Sequence, residues 1–233
     1  MTPVALLLPA AGVGSRMGSH KALLELAGTP LLFHTLGRFL PFRERICQTL
    51  LVLHPDDLAP VERQWGSVLR ERYRVTELVA GGARRQDSVR AGLDRVGVEA
   101  GLVAIHDAVR PFVSPEAVAA AFDAAERVGA AIVACPMKPT VKRVADGCVT
   151  ATLDRRDLWC AQTPQVFRRQ VILDAYAAAE RSGVEVTDDA QVVEHFGGTV
   201  AIVPGSDVNL KITTPEDLAL AEAILAHGLA PAI

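Results

Sequence analysis

The sequence predicts an α/β protein: a Rossmann-like, three-layer α/β/α fold with a mainly parallel twisted sheet and a projecting β-hairpin arm. Three observations carry that prediction. Short apolar runs alternate with helical stretches along most of the chain, and strand and helix in turn mean βαβ units. The first run, residues 4–8, is apolar at every position, as a strand buried on both faces requires. A glycine-rich segment, residues 9–18, follows it directly. That places a flexible loop at the carboxyl edge of the sheet, where open α/β folds bind ligands.

The elements follow in order. After the glycine loop, residues 31–40 read as a helix with Pro30 near its start. Residues 46–53 read as a strand, 56–70 as a helix, 75–79 as a strand and 87–96 as a helix. A strand at 102–105, an Ala-rich helix at 115–128 and a strand at 130–135 continue the alternation. The rhythm then breaks. Between residues 136 and 159, Asp146 and Gly147 join two short β-like runs, at 141–144 and 148–153, a strong hairpin signal. Helices at 168–181 and 188–196, a late strand at 199–203 and a closing helix at 215–226, with Thr214 as its N-cap, complete the chain. With no repeat and no linker, residues 1–233 read as one domain with a hairpin arm at about 136–159.

Composition narrows the functions. The chain has 233 residues, half of them hydrophobic, with 24 Lys+Arg against 27 Asp+Glu. It is long enough to bury a core without disulfide or metal staples. A net charge of −3 argues against a nucleic-acid binder, which usually carries a basic excess or a basic face. The four cysteines, Cys47, Cys135, Cys148 and Cys160, form no CxxC pair, so each reads as a small buried hydrophobe rather than a zinc ligand. Residues 1–8 lack a basic leader, and no apolar run approaches the ~18 residues of a spanning helix. The expectation is a cytoplasmic protein without membrane partners.

The glycine loop fails two familiar tests. A dinucleotide fingerprint counted from Gly12 and Gly14 needs Gly or Ala where Met17 stands. A phosphate-binding P-loop counted from Gly12 needs Gly-Lys where Met17 and Gly18 stand. Arg16 and Lys21 just downstream place two cations beside a tight loop, which suits a triphosphate, although a solvated basic turn has the same composition.

Ala10-Ala11-Gly12-Val13-Gly14-Ser15-Arg16-Met17, followed by Lys21, resembles the signature of enzymes that join a nucleotide to a sugar phosphate. Four further segments occur in matching order: Gly81 to Val89, His106 to Pro111, Leu158 to Gln165, and Thr187 to Ala190 with Lys211. Together they resemble the 2-C-methyl-D-erythritol 4-phosphate cytidylyltransferase family, across about residues 4–226. In this family the cytidylyl group of CTP passes to a methylerythritol phosphate of the non-mevalonate isoprenoid route, releasing pyrophosphate.

The resemblance implies roles. Arg16 and Lys21 hold the triphosphate, on a loop of Ala10, Ala11, Gly12 and Gly14. Gly81, Gly82 and Ser88 contact cytosine and ribose, and Asp107 with Ala108 joins the nucleotide site. Asp107 is also the expected Mg²⁺ ligand, although an Asp there can equally cap the next turn. His106 reads as a structural hydrogen-bonding residue, and Trp159 as a packing anchor. Arg84 and Arg85 read as solvated charges at a helix start, with Asp87 as contact or cap. For the acceptor, Thr140, Arg155 and Lys211 position the phosphate, with Thr187 nearby, while Arg110, Asp107 and Thr163 lie around the polyol. A homodimer is implied, with the arm carrying Thr140 and Arg155 into the partner's site.

Two departures from the family stand out: a shortened stretch from Arg16 to Lys21 with His20 in place of Pro, and Pro139 where Asp usually precedes Thr140. A ribitol 5-phosphate cytidylyltransferase shares the nucleotide loop, and a non-catalytic nucleotide-binding scaffold would tolerate the shortened loop. Both stay open at the level of sequence.

Overall fold

The computed structural model describes residues 1–14 and 19–232, with backbone alone at 13, 14 and 19–21. Its principal elements are β1 (Val4–Pro9), α1 (Leu31–Gly37), β2 (Ile46–Leu53), α2 (Pro55–Glu71), β3 (Glu77–Ala80), α3 (Arg85–Leu93), β4 (Leu102–Ile105) and α4 (Pro115–Val128). There follow β5 (Ala130–Pro136), β6 (Lys142–Ala145), β7 (Cys148–Thr152), β8 (Trp159–Arg168), α5 (Arg169–Ser182), α6 (Asp189–His195), β9 (Ala201–Pro204) and α7 (Pro215–Ala226).

Seven strands form one sheet in the order β9-β5-β8-β4-β1-β2-β3. Every neighbouring pair is parallel except those made by β8, which runs antiparallel between β4 and β5. The chain winds outward from β1 to β2 and β3, then returns to place β4 on the other side of β1. That reversal makes the β1/β4 carboxyl edge a topological switch point.

Side-chain alternation along β1 shows why the sheet needs cover on both faces. Val4, Leu6 and Leu8 join a cluster with Leu36, Val61, Val118 and Phe122, from α1, α2 and α4. Ala5 and Leu7 point the other way, into Val89, Leu93, Ile172 and Val192 of α3, α5 and α6. The apolar-throughout pattern at 4–8 is therefore the pattern of a two-faced strand. Close approach fixes α3: a Cβ on Gly92 would come within 2.3 Å of Leu7 Cδ1. Thr214 does cap α7, accepting from Asp217 N–H at 3.3 Å while the Asp217 carboxylate accepts from Thr214 N–H at 2.9 Å.

The arm is the β6–β7 hairpin, and its turn is the one Asp146 and Gly147 predict. Both have positive φ, 50° and 76°, as a two-residue turn matched to strand twist requires.

Three expectations need correction. The ten-residue strand β8 was not predicted, because polar Gln162, Thr163 and Gln165 occupy buried positions in it and hide the apolar pattern. Of the cysteines only Cys135 is buried; Cys47, Cys148 and Cys160 are exposed, and all four are unpaired. Trp159 is 40% exposed and joins none of the hydrophobic clusters of the described residues, so it is no buried core anchor.

Candidate functional site

A cavity of about 420 Å³ opens at the switch point. Its walls come from the loop after β1 (Ala10, Ala11, Gly12), the start of α3 (Gly82, Arg84, Arg85, Ser88), the end of β4 (Asp107) and the loop after β9 (Lys211, Thr213). Four segments far apart in sequence thus meet because parallel strands all point their carboxyl ends the same way.

The α3 side is built by close backbone approach. Gly81 N–H donates to Leu53 O at 2.7 Å, drawing the turn onto the end of β2. A Cβ on Gly81 would fall 2.4 Å from Ala11 Cβ, so only glycine lets this turn rest against the β1 loop. Ser88 Oγ accepts from Gly82 N–H at 3.1 Å and pins the turn to α3. Asp87 acts as the cap: its carboxylate accepts from Arg84 N–H at 3.2 Å, and the Arg84 guanidinium clamps it at 2.7 Å. Gly81 therefore supports the wall, while Gly82 and Ser88 belong to it.

Asp107 is the electrostatic centre. Its side chain is 8% exposed and faces three cations: Lys211 Nζ at 3.0 Å and Arg110 Nε at 3.2 Å on Oδ2, and Arg85 Nε at 3.5 Å on Oδ1. Burial alone would raise the Asp107 pKa, yet Lys211, Arg85 and Arg110 hold it well below the ordinary carboxylate range. Asp107 is consequently an acceptor at any working pH and cannot deliver a proton. Arg110 is fixed further by donating to Asn209 O at 2.8 Å.

His106 shapes the floor. It is fully buried, with Nε2 3.0 Å from Arg110 O and Nδ1 3.0 Å from Thr163 Oγ1. A carbonyl only accepts, so Nε2 carries the proton and Nδ1 accepts from the Thr163 hydroxyl. Thr163 Oγ1 in turn accepts from Asp107 N–H at 3.1 Å. This chain of bonds suits a neutral imidazole, and burial pushes the His106 pKa down to about 4. The ring holds Thr163, Asp107 and Arg110 in register and is no base.

The predicted residues fall into three groups. Ala10, Ala11, Gly12, Gly82, Ser88, Asp107 and Lys211 line the cavity. Arg110 and Thr163 stand just behind it through Asp107. Ala108 sits in the core, its carbonyl accepting from Thr35 Oγ1 at 2.8 Å. The third group lies away from the cavity. Thr140 is exposed on the arm; Arg155, also exposed, donates to Lys138 O at the arm's root. Exposed Thr187 contacts Gln191 Oε1 at 3.1 Å. Arg16 lies outside the described residues; Gly14 and Lys21 are described in backbone only, so the placement of the Lys21 ammonium falls outside too.

One residue of the wall departs from the sequence expectation. Arg85 is not a solvated charge: Nη1 and Nη2 donate to Asp189 at 3.0 and 2.7 Å, and Asp189 is completely buried. Burial works against the Arg85 charge, but Asp189 and Asp107 raise its pKa above the usual value. The signal was present in the pairing of an Arg-rich α3 start with two adjacent acids, Asp188 and Asp189. Nothing in linear spacing, however, brings residues 85 and 189 together.

A cation-caged carboxylate and a glycine loop at the switch point of a wound sheet define a site for a phosphorylated nucleotide, and the relatives make the class a nucleotidyltransferase. The family model of IspD, 2-C-methyl-D-erythritol 4-phosphate cytidylyltransferase, matches residues 4–227. The Syntrophus aciditrophicus protein of that name is 46% identical over 228 residues, covering 95% of each chain. The one from Bacillus licheniformis is 42% identical over 223 residues, covering 94% of each. Among solved structures, the 4-diphosphocytidyl-2C-methyl-D-erythritol synthase of Anaerococcus prevotii superposes with a TM-score of 0.84 at 31% identity, over 97% of this chain and 99% of its own. The Thermus thermophilus cytidylyltransferase gives 0.78 at 34% identity, over 94% and 98%. The chain belongs to the 2-C-methyl-D-erythritol 4-phosphate cytidylyltransferase family.

Proposed function

We propose that the chain transfers the cytidylyl group of CTP to 2-C-methyl-D-erythritol 4-phosphate by positioning and charge neutralisation, without a protein general base. Family membership supplies the reaction; the observation that carries the mechanism is the Asp107 cage. The acceptor phosphate oxygen attacks the α-phosphorus of CTP, the bond to the β-phosphate oxygen breaks, and pyrophosphate leaves. A phosphate is already ionised near neutrality, so no proton need be removed. Two anions must instead be brought together, and fixed cations lower that barrier most effectively where water is excluded.

In this reading Gly82 and Ser88 face cytosine and ribose, while Ala10, Ala11, Gly12 and Gly14 let backbone N–H groups approach the phosphates. Arg16 and Lys21 neutralise the triphosphate. Lys211 turns from Asp107 toward the acceptor phosphate, and Arg110 and Thr163 keep Asp107 in place beside the polyol. Thr187 lies on the loop before α6, toward the acceptor.

Magnesium fits as a companion of the triphosphate. Among the described residues Asp107 is the only carboxylate lining the cavity, and no three His, Cys, Asp or Glu gather into a cluster. One or two carboxylates plus substrate phosphates is the usual Mg²⁺ set. Asp107 would hold the ion, releasing one of its cations to do so, and the ion would add positive charge to the phosphates.

The arm belongs to the same proposal. Thr140 and Arg155 lie outside their own chain's cavity, which supports a homodimer in which each arm completes the partner's acceptor site. Residues 1–233 then act as one transferase domain, in the cytoplasm; among the described residues no helix is long and apolar enough to cross a membrane.

The test is pyrophosphate release from CTP and Mg²⁺ with 2-C-methyl-D-erythritol 4-phosphate, beside ribitol 5-phosphate and the other nucleoside triphosphates. Release that needs CTP and the methylerythritol substrate is expected. Release with ribitol 5-phosphate alone would overturn the acceptor, and none with any pair, from protein that binds CTP, would overturn catalysis.

A further inference from the structure

Beyond the cavity the structure holds a buried relay that neither the glycine loop nor the arm explains. Asp189, completely buried at the start of α6, receives both Nη groups of Arg85 and, at 2.6 Å, the hydroxyl of Tyr176 from α5. Gln165 Oε1 accepts from the N–H groups of Asp189 and Ala190 at 3.0 and 2.9 Å, fixing the backbone that presents the carboxylate. With its two Nη groups held there, Arg85 turns Nε toward Asp107 Oδ1 at 3.5 Å. One guanidinium thus stands between two buried carboxylates, gripped by one and merely facing the other.

We propose that Asp189, braced by Tyr176, is a positioning residue: it holds Arg85 back from Asp107 so that Lys211 remains paired with Asp107 at a distance from which it can be released to substrate. Two carboxylates compete for one guanidinium. A guanidinium matches a carboxylate best through two parallel N–H bonds, and Arg85 spends that bidentate face on Asp189. Without Asp189 the same face is attracted to Asp107, whose Oδ2 now carries Lys211 and Arg110. Arg85 would then displace Lys211 from the carboxylate that places it. The relay also joins the two substrate sides, since Arg85 opens α3 one turn before Ser88, while Asp189 opens α6 two residues after Thr187. The catalytic consequence rests on the cytidylyltransferase reading above, but the geometric one does not.

The first experiment therefore reads Lys211 directly. Trace acetylation of the folded protein, followed by peptide mass spectrometry, gives the reaction rate of Lys211 relative to arm residue Lys142. Asp189→Asn is expected to raise that ratio about threefold or more as Lys211 loses its partner, and an unchanged ratio would overturn the proposal. Tyr176→Phe removes only the bracing bond and is expected to shift the ratio in the same direction by less; it remains decisive should Asp189→Asn fold poorly.

The second experiment is a double-mutant cycle on kcat, normalised to CTP-binding sites. Asp189→Asn is expected to lower kcat about tenfold with the KM for CTP within about twofold, and to add little once Asp107→Asn is present. Losses that multiply across the two variants would show Asp189 to be a staple between α3 and α6 alone, and would overturn the proposal. Wild-type protein that turns over no acceptor would sink the functional reading instead, with the acetylation ratio still deciding on Asp189.

Discussion

The end of β4 and the hairpin arm are two answers to the problem of holding a charged side chain. At Asp107 the chain surrounds one carboxylate with three cations, two of them held in turn, Arg85 by Asp189 and Arg110 by Asn209 O, and leaves it 8% exposed. On the arm every residue of β6 is exposed, and Arg155 is tethered only to the carbonyl of Lys138. The difference teaches that charge at the end of β4 is held from within the chain, whereas charge on the arm is presented outward. Preorganised charge is found where the surroundings are dry, and adaptable charge where solvent reaches it.

The strongest way to break that comparison is at Asp107 and Lys211. Lys211→Ala is expected to lower kcat/KM by about 10²- to 10³-fold in protein that still folds, because Lys211 is partly exposed and Asp107 keeps Arg85 and Arg110 when it is gone. A loss of only a few fold, measured by pyrophosphate release, would mean that the cage does not set the rate.

Arg155→Ala is expected to cost less, about tenfold, and it sharpens the comparison by complementation. Mixing Lys211→Ala chains with Arg155→Ala chains is expected to restore about a quarter of wild-type activity if arms cross, because half the dimers then carry one intact site. No recovery would mean that the arm does not complete a partner's site.

A thermodynamic prediction follows from His106. Its folded pKa of about 4 lies below the unfolded value of about 6.5, so the unfolded chain takes up the proton first as pH falls. Stability from this group is complete above about pH 6.5 and is lost progressively toward pH 4, by up to about 3 kcal/mol. Urea midpoints at several pH values, compared with those of His106→Gln, would show it; the variant is expected to be less stable at neutral pH but flatter with pH.

The smallest effect belongs to the arm's turn. Gly147→Ala places a Cβ at a φ of +76°, a cost of about 1 kcal/mol confined to an exposed hairpin. The global urea midpoint is expected to stay put, and a large fall would mean that the arm is part of the cooperative core.

What the sequence made legible is what depends on near neighbours. The two-faced burial of residues 4–8, the Asp146-Gly147 turn and the Thr214 cap are local patterns with local causes, and all three are present. The cavity-lining residues were legible through a resemblance, and Lys211 above all depended on it, since a lone lysine in a loop has no signature of its own. What was lost depends on pairings across the fold. Strand β8 hides behind buried Gln162, Thr163 and Gln165, whose partners Ser206, His106 and Asp188 lie 23 to 57 residues away. Arg85 looked solvated for the same reason, with its partner 104 residues distant.

Strand β8 has a consequence for how the chain can be made. β4 and β5 follow one another in sequence, yet they stand apart in the sheet with a gap one strand wide, which only residues 159–168 fill. On a ribosome, synthesis at ~5–20 residues per second leaves that slot open for seconds after its two walls have emerged. Throughout that interval two apolar strands in the middle of the sheet present unpaired edges, the template on which chains pair wrongly. The protein is at its most vulnerable as a nascent chain ending within its own arm, with the first half of the sheet built and the strand that closes it not yet delivered.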